Sequence, residues 1–92
     1  MLITVYFTSQ LTMAVGKSSE SLELESGATM NGLLDLLADT HGEVFRKLVF
    51  DGEGRLQPSL LLCRGDDQVE HGDDVPLADG DSVTLLAAIS GG

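Results

Sequence analysis

The chain has no tryptophan and a single cysteine, Cys63, among its 92 residues. One cysteine excludes an intrachain disulfide and any multi-cysteine zinc site. With no tryptophan, three phenylalanines and one tyrosine, the core has to be built mainly from Leu, Val, Ile and the Phe residues. Basic residues are also scarce: 5 Lys and Arg stand against 15 Asp and Glu, for a net charge of −10. Such a surface repels phosphate backbones and anionic lipid, which argues against nucleic-acid and membrane binding. It fits docking on a basic partner surface, and equally well plain solubility or a salt-adapted host. No apolar run is long enough to span a bilayer, and Met1-Leu2-Ile3-Thr4 lacks the basic region and apolar stretch of a signal peptide, so a cytoplasmic location is expected.

What is present reads as one folded domain over residues 1–92. The hydrophobic fraction of 42% is ordinary for a globular chain, and the length leaves no room for a second core. Leu2 to Ser9 alternates at period two, with Ile3, Val5 and Phe7 on one face, so a strand is expected. Ser21 to Glu25 alternates again, and the two strands with the loop between them make an N-terminal hairpin. Met30, Leu33, Leu34 and Leu37 recur at helical spacing after Thr29, a candidate N-cap, and Gly42 is placed to end that helix. Glu43 to Val49 reads as a short second helix, with Phe45, Leu48 and Val49 inward. Asp51-Gly52-Glu53-Gly54 is a turn. Ser59 to Cys63 is short and apolar, as a central, fully buried strand would be. Gly65 to Asp74 is an acidic loop broken by a minimal strand around Val69. Ser82 to Ile89 forms the last strand. One main helix must then cover one face of a mixed sheet of four or five strands, with the first and last strands parallel in the middle. That is an α+β chain of the β-grasp, ubiquitin-like arrangement.

The chain closes on Gly91-Gly92, one residue after the apolar run Val83 to Ile89. Glycine has no Cβ, so residues 88–92 can serve as a flexible tail that threads a narrow channel. A diglycine carboxylate is a group that ATP can activate as an acyl-adenylate. The stretch Leu77-Ala78-Asp79-Gly80-Asp81-Ser82-Val83-Thr84-Leu85-Leu86-Ala87-Ala88-Ile89-Ser90-Gly91-Gly92 resembles the C-terminal signature of the MoaD/ThiS family of ubiquitin-like sulfur carriers. The helix start at Ala28-Thr29, the Asp51–Leu56 turn and the Ser59–Cys63 strand fall where that family has equivalents. The pattern is most similar to the sulfur carrier of the thiocarboxylate-dependent cysteine pathway, with archaeal small modifier proteins nearly as close. Two places depart from it. Ala87-Ala88 stand where the family usually has a proline, and Cys63-Arg64-Gly65 stand where it often has Val-Asn-Gly.

The resemblance implies a carrier rather than an enzyme. An activating enzyme related to those of ubiquitin would use ATP to adenylate Gly92, and a sulfur donor would replace AMP to leave a C-terminal thiocarboxylate. That thiocarboxylate would then supply sulfur to a biosynthetic enzyme making cysteine, molybdopterin or a related metabolite. In the molybdopterin case the chain would be the small non-catalytic subunit of a synthase. The tail residues Ser90, Gly91 and Gly92 carry this chemistry, and the chain itself needs no bound cofactor and no metal. The alternative is a ubiquitin-like modifier conjugated to lysines, or a β-grasp interaction module.

Partner recognition is expected on the outer face of the sheet. Leu86 points away from the core by alternation, and with Leu60 or Leu62 and Tyr6 it would form an apolar docking patch, unless another element covers it. Asp66, Asp67, Glu70, Asp73 and Asp74 would steer a basic partner or simply be solvated. The carboxylates between Asp66 and Asp81 lack the ligand spacing of a calcium loop. His41 and His71 read as surface histidines. Cys63, in a strand expected to be buried, reads as inert packing.

Overall fold

A computed structural model describes residues 1–8 and 10–87. The elements are β1 (Leu2–Phe7), α1 (Gln10–Val15), β2 (Ser19–Glu23), α2 (Met30–His41), α3 (Glu43–Val49), β3 (Leu60–Arg64), β4 (Asp67–Val69) and β5 (Ser82–Ala87). The five strands form one mixed sheet in the order β2-β1-β5-β3-β4. β1 and β5 run parallel, with Val5 beside Val83 and Phe7 beside Leu85, and every other pairing is antiparallel. This is the β-grasp arrangement expected from the sequence.

The local signals explain most boundaries. Thr29 is extended, and its hydroxyl accepts the Gly32 N–H, which satisfies one of the orphan donors at the start of α2. A second is taken by Asp74, whose Oδ1 accepts the Asn31 N–H at 2.9 Å. Gly42 stops α2 at a φ of 88°, a left-handed conformation that favours glycine, and α3 starts immediately after it. Met30, Leu33, Leu34 and Leu37 are all buried, as their spacing requires.

The hairpin loop is where the expectation was incomplete. Between β1 and β2 the chain makes a short helix, α1, and its Leu11 is fully buried. An apolar residue after a strand end carries no period of its own, so Leu11 could not be told from loop.

The core lies between the sheet and the helices. Ile3, Val5, Phe7, Leu60, Leu62, Val83 and Leu85 of the sheet meet Leu33, Leu37, Phe45 and Val49 of the helices. Phe7 and Phe45 meet edge to face, with ring centroids 6.2 Å apart. His41 joins them. Its side chain is 11% exposed, its ring lies 5.7 Å from that of Phe45, and its Nε2 is 2.8 Å from Glu20 Oε1. It is therefore not the surface histidine expected from the sequence, because α2 ends where its last residue turns back over the aromatic pair.

Candidate docking face and strand exit

The position of β5 is set by the turn before it. Asp79 Oδ1 accepts the Leu2 N–H at 2.7 Å, the Gly80 N–H donates to the Leu2 carbonyl, and the Asp81 carbonyl accepts the Thr4 N–H. Asp81 Oδ2 also accepts the Ala78 N–H at 2.8 Å, which closes the turn on itself. Gly80 has a φ of 86°, where a Cβ would be strained. Three consecutive residues thus clamp the start of β5 to the start of β1, and the parallel register follows. At its far end, Thr8 Oγ1 donates to the Leu85 carbonyl. β5 then leads to residues 88–92, so Ser90, Gly91 and Gly92 lie outside the described residues.

The helices cover one face of the sheet. The other is exposed at alternate positions: Leu2 and Tyr6 are each 46% exposed and Leu61 is 40% exposed. On this face Thr84 stands between Tyr6 of β1 and Cys63 of β3, and Leu86 is paired with Leu61. Leu86 is half-buried. Tyr6, Leu61 and Leu86 form the apolar part of the face, next to the strand's exit.

The structure corrects the sequence here. Leu60 and Leu62 are 0% and 1% exposed and belong to the core, so they cannot be docking residues. Leu61, between them, takes the outward position. Leu60, Leu61 and Leu62 are identical side chains, and a uniform run hides which face each one takes. Nor is β3 buried on both faces: Cys63 points outward and is half-exposed. Arg64 follows the core-side parity and donates from Nη1 to the Pro76 carbonyl at 2.9 Å.

Electrostatically the molecule is an acidic body with few free cations. Lys17 pairs with Glu20, Arg46 with Asp39, and Arg55 with Glu53 and Asp51. Burial alone would raise the Glu20 carboxyl, but the hydrogen bonds and charges of His41 and Lys17 outweigh it and hold the group below its ordinary value. The Asp51 carboxyl is also held down, chiefly by the Glu53 and Arg55 N–H groups that it accepts. Asp66, Asp67, Glu70, Asp73 and Asp74 are all exposed, and of these Asp74 has a defined structural task as the cap of α2. Among the described residues no three His, Cys, Asp or Glu side chains are grouped closely enough to hold a metal ion. No described helix is long and apolar enough to cross a membrane.

Comparison with known proteins decides the family. The ThiS family model matches residues 5–92, through the diglycine. The chain belongs to the ThiS family. Proteins of this family are small, non-catalytic carriers acted on by activating enzymes. A search of curated proteins found no match. Among solved structures, SAMP1 from Haloferax volcanii superposes with a TM-score of 0.87 at 22% identity, over 100% of both chains. Urm1 from Trypanosoma brucei has a TM-score of 0.80 at 27% identity, over 99% of this chain and 95% of that one. CysO, from the BexX/CysO complex of Amycolatopsis orientalis, has a TM-score of 0.71 at 27% identity, over 98% and 99%. The family was thus legible in the turn-strand-diglycine signature, and the fold in the order of strands and helix.

Proposed function

We propose that the chain is a sulfur carrier activated at the carboxylate of Gly92. The observation that carries this reading is the family match, which runs through Gly91-Gly92. In the first step a Gly92 carboxylate oxygen attacks the α-phosphorus of ATP, and pyrophosphate leaves. In the second, hydrosulfide attacks the acyl carbon of the adenylate and AMP leaves with the carboxylate oxygen. The product is a thiocarboxylate, which can donate sulfur to an electrophilic carbon in a biosynthetic enzyme, in a pathway to cysteine, molybdopterin or a related metabolite. The chain contributes a docking body and a narrow tail, and an activating enzyme holds the ATP.

The bare face supports this division of labour. Tyr6, Leu61 and Leu86 offer an apolar patch beside the strand that leads to the tail, so a partner gripping that face would receive Gly92 in a defined direction. The acidic surface favours a basic partner and speeds encounter with it. Modification of other proteins is the second reading, because the same adenylate yields an isopeptide when a lysine amine replaces hydrosulfide. The similar structures include both a small archaeal modifier protein and CysO in its complex with BexX, and the ThiS family match favours the carrier.

The test is the intact mass after incubation with ATP, a cognate activating enzyme and sulfide. A gain matching exchange of one oxygen for sulfur, lost when Gly92 is deleted or one residue is appended to it, supports the carrier reading. Adenylation without the sulfur product, with adducts on partner lysines instead, moves the assignment to a modifier. Full activity of the extended chain overturns both.

A further inference from the structure

On the helix side of the molecule, α2, the turn after α3 and the segment after β4 line an open cavity of about 550 Å³. Its size lies within the usual range of small-ligand pockets. Phe50 and Leu56 supply its apolar surface, and they are bridged to each other across the turn. That turn is preformed. Asp51 Oδ1 accepts the N–H groups of Glu53 and Arg55, and the Gln57 side-chain amide donates to the Lys47 and Phe50 carbonyls.

The polar groups around it are few. Asn31 and Asp35 stand one turn apart on α2. His71 is oriented by the hydrogen bond from its Nε2 to the Leu60 carbonyl. Arg55 is already engaged by Asp51 and Glu53. Asp35 makes no ion pair among the described residues. The cavity therefore offers an apolar wall and an exposed carboxylate free to take a cation. An anion would meet Asp35 and a surface of net charge −10. A purely apolar group would displace water from the exposed Asp35 and Asn31 and return no polar contact. A hydrocarbon stem ending in a cation satisfies both parts.

The cavity shares His71 with a second, smaller groove, which is also lined by Leu61 of the docking face. Leu60, which holds the His71 ring, is paired with Ala87, the last described residue of β5. A partner that covers Leu61 and receives the tail is thus one groove away from the cavity.

We propose that this cavity takes a lysine or arginine side chain of the protein that handles the tail, as a second anchor beside the apolar face. The identity of that partner rests on the carrier reading; the preference of the cavity for a basic side chain does not.

The test is titration of the full chain, followed by amide NMR shifts, with Nα-acetyl-lysine methylamide, its arginine counterpart, and the neutral norleucine counterpart. Either basic probe should saturate with a dissociation constant on the order of 1–10 mM, a fitting strength for so small a ligand. The norleucine probe should bind about fivefold more weakly. The shifts should centre on Asp35, Phe50 and Leu56, and Asp35→Asn should weaken the basic probes about threefold to fivefold. Equal binding of all three probes, shifts confined to the Asp66–Asp74 loop, or indifference to Asp35→Asn overturns the proposal. Cadaverine binding far more tightly than either amino-acid probe replaces the protein side chain by a free polyamine. A chain that is never adenylated sinks the carrier reading and leaves this titration as it stands.

Discussion

Leu61 and Leu36 provide a matched pair for testing the docking face. Each is 40% exposed, one on the bare face of the sheet and the other on α2. Their truncation should cost the isolated protein nearly the same, because each already buries three fifths of its surface. Their effects on partner binding should differ. Burying a whole leucine is worth about 1.5–3 kcal/mol, so the two fifths still open at Leu61 leave about 0.6–1.2 kcal/mol to be gained on docking. Leu61→Ala keeps the Cβ and should lose about 0.5–1 kcal/mol of that, a twofold to fivefold rise in the dissociation constant for the activating enzyme. Leu61→Glu buries a carboxylate as well and should cost more than tenfold. Leu36→Ala should leave the constant within about twofold. The assay is fluorescence anisotropy of a labelled carrier against the activating enzyme, with urea melts confirming matched stability. Equal effects of Leu61→Ala and Leu36→Ala, in either direction, would refute the assignment of the sheet face as the docking surface.

Other consequences concern the body that presents this face. Phe45→Ala should lower stability by about 3–5 kcal/mol in urea unfolding, since it empties a fully buried ring site that touches both Phe7 and His41. Asp81→Ala should cost about 1–2 kcal/mol, because the Ala78 N–H loses its acceptor in the turn that sets β5. Gly80→Ala should add a cost of about 1 kcal/mol through its positive φ alone, with the same melts as readout. Glu20→Gln should cost about 1–2 kcal/mol at neutral pH. The Glu20 carboxyl is lowered on folding, so its contribution is full above the ordinary carboxylate range and lost as pH falls through the folded value. The wild-type and Glu20→Gln melts should therefore converge toward acid, and a gap that widened there would contradict the pairing with His41 and Lys17.

How far the sequence could be read depended on whether neighbouring side chains differed. From Ile3 onward β1 reads Ile, Thr, Val, Tyr, Phe, and the alternation assigned Tyr6 outward and Val5 inward without ambiguity. α2 has four apolar residues at one spacing with a threonine ahead and a glycine behind, so both ends were legible. β3 reads Leu, Leu, Leu, Cys, and there the pattern carries no face; only the register with β5 shows that Leu61 meets Leu86 while Leu60 and Leu62 turn inward. His41 was illegible for another reason. Its neighbours Phe7, Glu20 and Phe45 come from three different elements, and no local pattern in the sequence reports that convergence. The cavity beside Asp35 is hidden in the same way, because its walls come together only when the Phe50–Leu56 turn folds back over α2.

The strand order also bears on how such a carrier can be pulled. β5 is the central strand, bonded to β1 on one side and β3 on the other, with its start clamped by Asp79, Gly80 and Asp81. A partner that draws on residues 88–92 loads two hydrogen-bonded ladders along their length. An edge strand such as β2 could peel from one neighbour, a bond at a time. Under the proposed function, the central place of β5 holds the docking face in shape while a partner draws on residues 88–92. The clamp onto β1 at the start of β5, and the bond from Thr8 Oγ1 to the Leu85 carbonyl near its far end, hold the strand against such a pull.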